Sequence, residues 1–463
     1  MWDMMGWNIR ETRHNQLRVD PALSAREAAV RQAEITQQLG TDWGVRAPPD
    51  HRNPEWLHRG KWAAVMLRED YEAHSEARGA LSPLIKHRIH QGVAWDGGTS
   101  PGLILVDRRP PGNIRAWQRQ ILGGQSWPHY LVFIGGPDRF PFELQYALAR
   151  TLCIGRIDAS DRAGGALSWA ACRRYAEKVV RYERGDLPTQ PYPLLFSVDA
   201  DPPTSEAHAL IAVPLAERTD LSQRPPATLF HEAASWDNLI ATMATSPPGL
   251  LLTLTHGVEY PEDPLLWGAL TDSPCIKGAG EVYLDAKHVT SACTFGAGAV
   301  VLALACFSAG VPSPSAHDHL LRLRPPALPN APFVSPLPRA LLAHPEGPVA
   351  FVGHVDRLTT RSFIDRLPQR GAAPFEDFIA WFLGGPGRGG TLGQAMRTLC
   401  EHASEETGQV LTQQLNAPSS PVAPTHDPTL DRRIRYCDYR GYILLGDPAI
   451  TYPGFADPRH GLS

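Results

Sequence analysis

Short apolar runs, each closed by glycine or a polar residue, recur along the chain from about residue 100 onward. Leu103-Ile104-Leu105-Val106 ends at Asp107, and Leu131-Val132-Phe133-Ile134 ends at Gly135-Gly136. Leu194 to Val198 ends at Asp199, Leu250 to Thr255 at His256, and Val300 to Ala305 at Cys306. Val349 to Val352 ends at Gly353-His354, and Tyr442 to Leu445 at Gly446-Asp447. Runs of this length bounded by turn residues predict strands buried on both faces, which belong to a mostly parallel sheet covered by helices. Helical spacing lies between them. Tyr175, Val179 and Tyr182 share one face of Ala171 to Arg184. Phe375, Phe378, Ile379 and Phe382 follow the i, i+3, i+4, i+7 pattern, with Pro374 at the first helical position and Gly384 as the stop. Thr391 caps a further helix that turns Leu392, Ala395, Met396 and Leu399 inward. Strands alternating with helices predict an α/β fold. Pro325 to Pro338 and Leu415 to Thr429 read as proline-rich loops.

Residues 1–95 read differently, as a helical and irregular segment. Ser24-Ala25-Arg26-Glu27 has the form of a capping box, with Ala29, Ala33 and Ile35 behind it. Seven of the twelve tryptophans fall in the first 117 residues, which predicts that this region packs against the body of the protein or serves as a docking surface for a regulatory protein. The expected division is therefore 1–95 as the N-terminal segment, 96–190 as an α/β subdomain and 191–463 as the principal domain.

With 463 residues, 43% apolar and 20% charged, the chain has the make-up of a globular protein of two or three domains. The net charge is −4 and the arginines are dispersed, so no nucleic-acid footprint is present. The odd count of 7 cysteines suits a reducing compartment rather than a disulfide scaffold. Met1 to Arg10 lacks the apolar core of a signal peptide. In the uncharged stretch Val289 to Ala316 only Ala299 to Ala305 is strongly apolar, too short to cross a bilayer. A cytoplasmic protein with no membrane partner is expected.

Chemistry concentrates where strands end, because ligands of open parallel sheets bind at the carboxyl edge. Adjacent parallel strands would bring His256 and Cys306 to one edge. An imidazole can take the proton of a thiol and return it to a leaving amine. Gly257 lets backbone approach a substrate carbonyl, and its N–H with that of Cys306 would form an oxyanion hole. His354 also ends a strand and is the alternative base. Other features are weaker. Gly385-Pro386-Gly387-Arg388-Gly389-Gly390 matches the dinucleotide fingerprint but follows a helix rather than a strand. His317-Asp318-His319 reads as a polar loop, since no His or Cys pair at zinc spacing accompanies it, and no metal site is predicted. Cys275 and Cys293 read as bystander thiols, and Ser308 lacks the Gly-x-Ser-x-Gly elbow.

An apolar run ending in His-Gly, followed by one ending in Cys, resembles the caspase-like clan of cysteine peptidases, which includes caspases, gingipains, legumain, separase and bacterial CHAT-domain proteases. Tyr130 to Phe142 resembles the strand and loop of a gingipain-like N-terminal subdomain, and Ile154-Gly155-Arg156-Ile157 with the helix from Tyr175 to Val180 is similar to its Gly-Arg strand and connecting helix. Ala350 to Arg357 looks like the strand and loop after the catalytic cysteine, and Leu444 to Ala449 resembles the terminal strand. The resemblance spans about residues 130–452. It implies a caspase-like three-layer α/β fold with a gingipain-type subdomain, and a thiol endopeptidase that needs no cofactor. Its base is His256, its nucleophile Cys306, and its oxyanion donors the N–H groups of Gly257 and Cys306. The acidic loop Asp199-Ala200-Asp201 matches the position where relatives orient the base or line the substrate's P1 pocket, so Asp199 and Asp201 are candidates for either role. Leu358-Thr359-Thr360 stands where relatives often carry a tryptophan wall. Bacterial relatives act in defence, some on gasdermin pore-formers, so the implied partner is a protein substrate of that kind. A catalytically silent scaffold or peptide-binding module is the alternative.

Overall fold

The computed structural model describes residues 56–453 apart from 125, 161–164, 260, 272–282, 290–294, 322–327, 361–362, 364–370, 385–389 and 404–427, together with Met4 and Met5. Its centre is a ten-stranded sheet. In chain order the strands are β1 Trp62–Leu67, β2 Leu103–Val106, β3 Tyr130–Ile134, β4 Cys153–Ile157, β5 Gln190–Ser197, β6 Ala227–Phe230, β7 Pro248–Leu254, β8 Val300–Leu304, β9 Ala350–His354 and β10 Tyr442–Gly446. Across the sheet they run β2-β1-β3-β4-β10-β9-β8-β7-β5-β6. Every neighbouring pair is parallel except β9 and β10. The last strand thus joins two parallel halves that run in opposite directions, and their carboxyl ends lie at opposite edges.

The apolar runs form strands because both faces are covered. In β1, Trp62, Ala64 and Met66 face one core, while Ala63, Val65 and Leu67 face another. The first core takes Cys172, Tyr175, Val179 and Tyr182 of the helix Trp169–Glu183. The second takes Trp117 and Ile121 of Ile114–Leu122 and Leu144 and Leu148 of Phe142–Ala149. Each fully buried Leu, Ile or Val contributes about 1.5–3 kcal/mol relative to exposure. The helix Ala373–Leu383 buries Phe375, Phe378, Ile379 and Phe382 as the periodicity predicts. The result is a mixed α/β architecture built on a large, mostly parallel sheet.

The seam between the halves is pinned by close approach and by charge. A Cβ on Gly155 would lie 2.1 Å from the carbonyl oxygen of Gly446, so only glycine fits where β4 meets β10. Beyond β10, Asp447 accepts from Trp62 Nε1 at 2.9 Å and pairs with Arg88 Nη2 at 2.6 Å. Arg88 also pairs with Glu183 at 2.7 Å. All three charged side chains are buried, so the paired ions satisfy one another.

Three expectations change here. The stretch expected to be a helical and irregular N-terminal segment contains β1, an interior strand of the sheet, so the α/β body begins well before residue 96. Trp62 to Leu67 has the same run-and-turn pattern as the strands that begin at Leu103 and Tyr130. The boundary expected at 190/191 falls at the start of β5, within one continuous sheet. Pro325 to Pro338 is also not wholly loop: Phe333–Val334 pairs with Gly310–Val311, and Pro336–Ala343 is a helix. The capping box at Ser24–Glu27, the glycine-rich run 385–389, and Cys275 and Cys293 lie outside the described residues. Among the described residues no helix is long and apolar enough to cross a membrane.

Candidate active site

β7 and β8 pair in parallel with Leu254 opposite Leu304. The Thr255 N–H still donates to the Leu304 carbonyl at 3.3 Å, and the same register continued two residues further runs to His256 on one strand end and Cys306 on the other. Past β7, His256–Gly257 forms a short strand antiparallel to Leu270–Thr271. Gly257 lies hard against the backbone of Cys306: a Cβ there would come 1.9 Å from the Cys306 carbonyl oxygen and 3.0 Å from its nitrogen. The two expected oxyanion donors are therefore neighbours, and glycine is required for them to be so.

His256 is buried, and its Nε2 stands 2.8 Å from Oδ2 of Asp201. Asp201 is fixed from its other side. It is the N-cap of Pro202–Ala207, where Oδ1 accepts from the backbone N–H of Thr204 at 3.1 Å and from its hydroxyl at 2.6 Å, and the Thr204 hydroxyl accepts from the Asp201 N–H in return. Burial pushes the Asp201 carboxyl up, but the His256 ring and Thr204 outweigh it and leave it below its ordinary value. Of the two candidates on the acidic loop, Asp201 is the one that lies against the His256 ring. Asp199 points elsewhere, toward His231 at 3.7 Å and the hydroxyl of Ser205.

Cys306 is fully buried. Its sulfur accepts from the Leu358 N–H at 3.2 Å and its thiol faces the Leu358 carbonyl at 3.5 Å. Burial, then the charge of Glu259, push the thiol well above its ordinary value. The residue that follows, Phe307, has φ +54°, and Asp356 has φ +96°. Non-glycine residues in that region cost energy and persist only where surroundings hold them. Here the Phe307 N–H donates to the Asp356 carbonyl at 2.7 Å, and the Ser335 hydroxyl donates to the Phe307 carbonyl. The two strained turns brace each other directly behind the thiol.

Leu358–Thr359 is itself a short strand, antiparallel to Met4–Met5. It is held from below by Asp438, which accepts from the Thr359 N–H at 3.2 Å and its hydroxyl at 2.6 Å. His317 bridges Asp438 at 2.8 Å and Asp356 at 3.5 Å. Burial pulls the His317 imidazole down, but the two carboxylates outweigh it and raise it to about 10. The expected polar loop at His317 is thus a buried cation at the start of the helix Ala316–Leu321. Arg357 Nε pairs with Glu259 at 3.0 Å, both side chains buried, with the guanidinium over the Phe307 ring. Burial raises the Glu259 carboxyl to about 7. Trp267 packs edge-on to Phe307, so an indole borders this site from a part of the chain that sequence did not single out.

His354 is fully buried, with Nδ1 3.0 Å from the Asp356 carbonyl and Nε2 2.9 Å from that of Asp438. Burial lowers its basicity. It braces the core and is not placed as a base. Ser308 is likewise structural, its hydroxyl accepting from the His354 N–H at 2.9 Å. Sequence reasoning missed the support formed by His317, Asp356, Asp438 and the paired Glu259 and Arg357. Asp356 and Arg357 follow an apolar run, but the others lie on separate segments with no local pattern to join them.

No family model and no curated protein matches the chain. Among solved structures, one named "Structure of Protease" is similar at 10% identity, with 87% of this chain and 82% of that one covered and a TM-score of 0.47. A likeness of that degree carries no argument about function.

Proposed function

We propose that the chain is a cysteine endopeptidase that hydrolyses peptide bonds of a specific protein target. The observation that supports this is the meeting of two adjacent strand ends, where Gly257 beside His256 lies against the Cys306 backbone and Asp201 stands against the imidazole. In this reading His256 takes the proton from Cys306 Sγ. The thiolate attacks the scissile carbonyl carbon, and the oxyanion rests on the N–H groups of Gly257 and Cys306. The imidazolium then gives its proton to the departing amine as the C–N bond breaks. Water, deprotonated by the same imidazole, cleaves the resulting thioester. Asp201 acts through His256 as a positioning residue. The caspase-like resemblance extends the reading to a regulatory or defence-associated protease.

A second reading has its own support. The Cys306 thiol is buried and raised, the opposite of an exposed low-pKa nucleophile. Either Leu358 withdraws when substrate binds, or the cleft only holds a peptide. An electrophilic peptide probe, with the adduct located by mass spectrometry, separates the two. A Cys306 adduct that disappears in His256→Ala supports the peptidase. Peptide binding without any Cys306 adduct favours the binding module and rejects the peptidase.

A further inference from the structure

Three side chains outside the dyad converge at the carboxyl ends of β5 and β6. Asp199 follows β5, His208 opens the helical segment behind it, and His231 follows β6 directly. One ligand atom from each lies within 4.8 Å of the other two. We infer that Asp199, His208 and His231 form a binding site for a divalent transition-metal ion of the zinc class.

The backbone at two of the three is unusual in a way that serves the cluster. His208–Ala212 is a π-helical turn, a rare form that concentrates at functional sites. His231 has φ +53°, the left-handed region that a β-carbon disfavours. The outer contacts fit ligation as well. His208 Nδ1 is 3.0 Å from the Ser197 hydroxyl, which fixes the ring and leaves Nε2 for an ion. The Ser205 hydroxyl donates to Oδ1 of Asp199, which leaves Oδ2, the oxygen 3.7 Å from His231 Nδ1. Ligand atoms around a tetrahedral zinc with bonds of about 2.0–2.1 Å stand roughly 3.4 Å apart. The exposed His231 and Asp199 side chains would rotate to close the remaining gap when the ion binds.

Two imidazoles and one carboxylate select zinc, cobalt or nickel over calcium and magnesium, which take oxygen ligands. Three protein ligands on a solvent-facing edge leave a fourth position for water. The site stands on the loop that carries Asp201 but does not depend on the peptidase reading.

Zinc titration by calorimetry tests it in the full chain carrying Cys306→Ala, which removes the reactive thiol as a competing ligand. One zinc should bind, and affinity should fall at least about 100-fold in Asp199→Asn and in His231→Gly. Glycine keeps the left-handed backbone, so this variant removes the ligand without disturbing the turn. Cobalt should give a visible band without thiolate charge transfer. Unchanged zinc affinity in both variants, or a cobalt–thiolate band, would overturn the proposal.

Discussion

The strand carrying Cys306 is flanked by two strands that each end near a histidine, and the two ends have opposite character. His256 lies two residues beyond the last paired residue of β7, where the register continued from Leu304 runs to Cys306. His354 is paired within β9, and the register of Ala303 with Gly353 sets it level with Leu304. That is two residues, about 6–7 Å, back into the sheet. His256 meets a carboxylate held by a helix cap, whereas both nitrogens of His354 meet backbone carbonyls in a sealed core. If His256 is the base, as proposed, a histidine at a strand end is not in itself enough for that role. It must reach past the hydrogen-bonded ladder, keep one nitrogen for the proton it moves, and be oriented through the other.

The largest effects should separate these two ends. Cys306→Ala and His256→Ala should each lower turnover by about 10⁴-fold or more while thermal unfolding stays near that of the wild type. The double variant should be no worse than either single one, because the pair acts as a unit. His354→Ala should instead lose stability, roughly 2–4 kcal/mol in a urea titration, with the folded fraction still cleaving. A folded but inactive His354→Ala beside an active His256→Ala would exchange the two assignments.

The next effect belongs to the sealed end. His317 is a cation between two buried carboxylates, 6.1 Å ring to ring from His354. His317→Gln removes the cation and leaves Asp356 and Asp438 uncompensated, at a cost of about 3–5 kcal/mol. The sign with pH follows from a folded value raised to about 10. The stabilisation is complete below the unfolded imidazole value near 6.5 and is lost as pH rises from there through about 10. Urea midpoints at pH 6 and pH 9.5 should show this loss in the wild type and not in His317→Gln. Equal pH dependence in both would place the protonation elsewhere.

The open end was far more legible in sequence than the sealed one. Leu250 to His256 and Val300 to Cys306 announce themselves because a strand buried on both faces must be apolar until it ends. β4 was readable only through the family resemblance, because Gly155 and Arg156 interrupt it. Arg156 is tolerated there since Gln145 and the carbonyls of Gly135 and Phe140 accept its protons. β6 is an edge strand, only partly buried, so its apolar signal is weak. The left-handed residues Phe307 and Asp356 carry ordinary side chains and give no local sign, since it is tertiary hydrogen bonding that holds them. His208 and His231 are joined by the fold alone, and for that reason no metal site was expected. Asp201 was legible as an acidic loop residue, but its choice of partner depends on how Pro202–Ala207 is capped.

Asp201→Asn tests whether orientation of the open-end histidine matters. The amide keeps the size and the cap but removes the charge that holds the ring. Turnover should fall roughly 10²-fold with KM nearly unchanged, because the group acts on proton transfer rather than on substrate binding. A rise in KM with full kcat would return Asp201 to the P1 pocket. Gly257→Ala should cost as much or more, since its Cβ would meet the Cys306 carbonyl carbon and oxygen at 2.8 and 1.9 Å, both backbone atoms that can only shift together with the nucleophile.

The smallest effect concerns what lies over the open end. Met4–Met5 pairs antiparallel with Leu358–Thr359, and Leu358 is the residue that holds the Cys306 sulfur. The same short strand lies within 8 Å, Cα to Cα, of the helix that Asp201 caps. It therefore reaches from the residue that contacts Cys306 to the helix capped by the residue that contacts His256, along the edge where, on the proposed reading, an extended peptide would add its own backbone hydrogen bonds. Two such bonds are worth about 0.5–1.5 kcal/mol each and ordering the two residues costs about 1–2 kcal/mol apiece, so the net hold is at most about 1 kcal/mol. Deleting residues 1–10 should accordingly lower KM for a peptide substrate by up to about fivefold and leave kcat unchanged, since a competing strand subtracts from binding and not from chemistry. It should also speed labelling of Cys306 by the electrophilic probe by a similar factor. The closed end offers the control, because labelling of the buried Cys437 should not change. If the truncated chain shows the KM and the labelling rate of the full one, the strand does not compete for the edge, and Leu358 alone keeps the thiol closed.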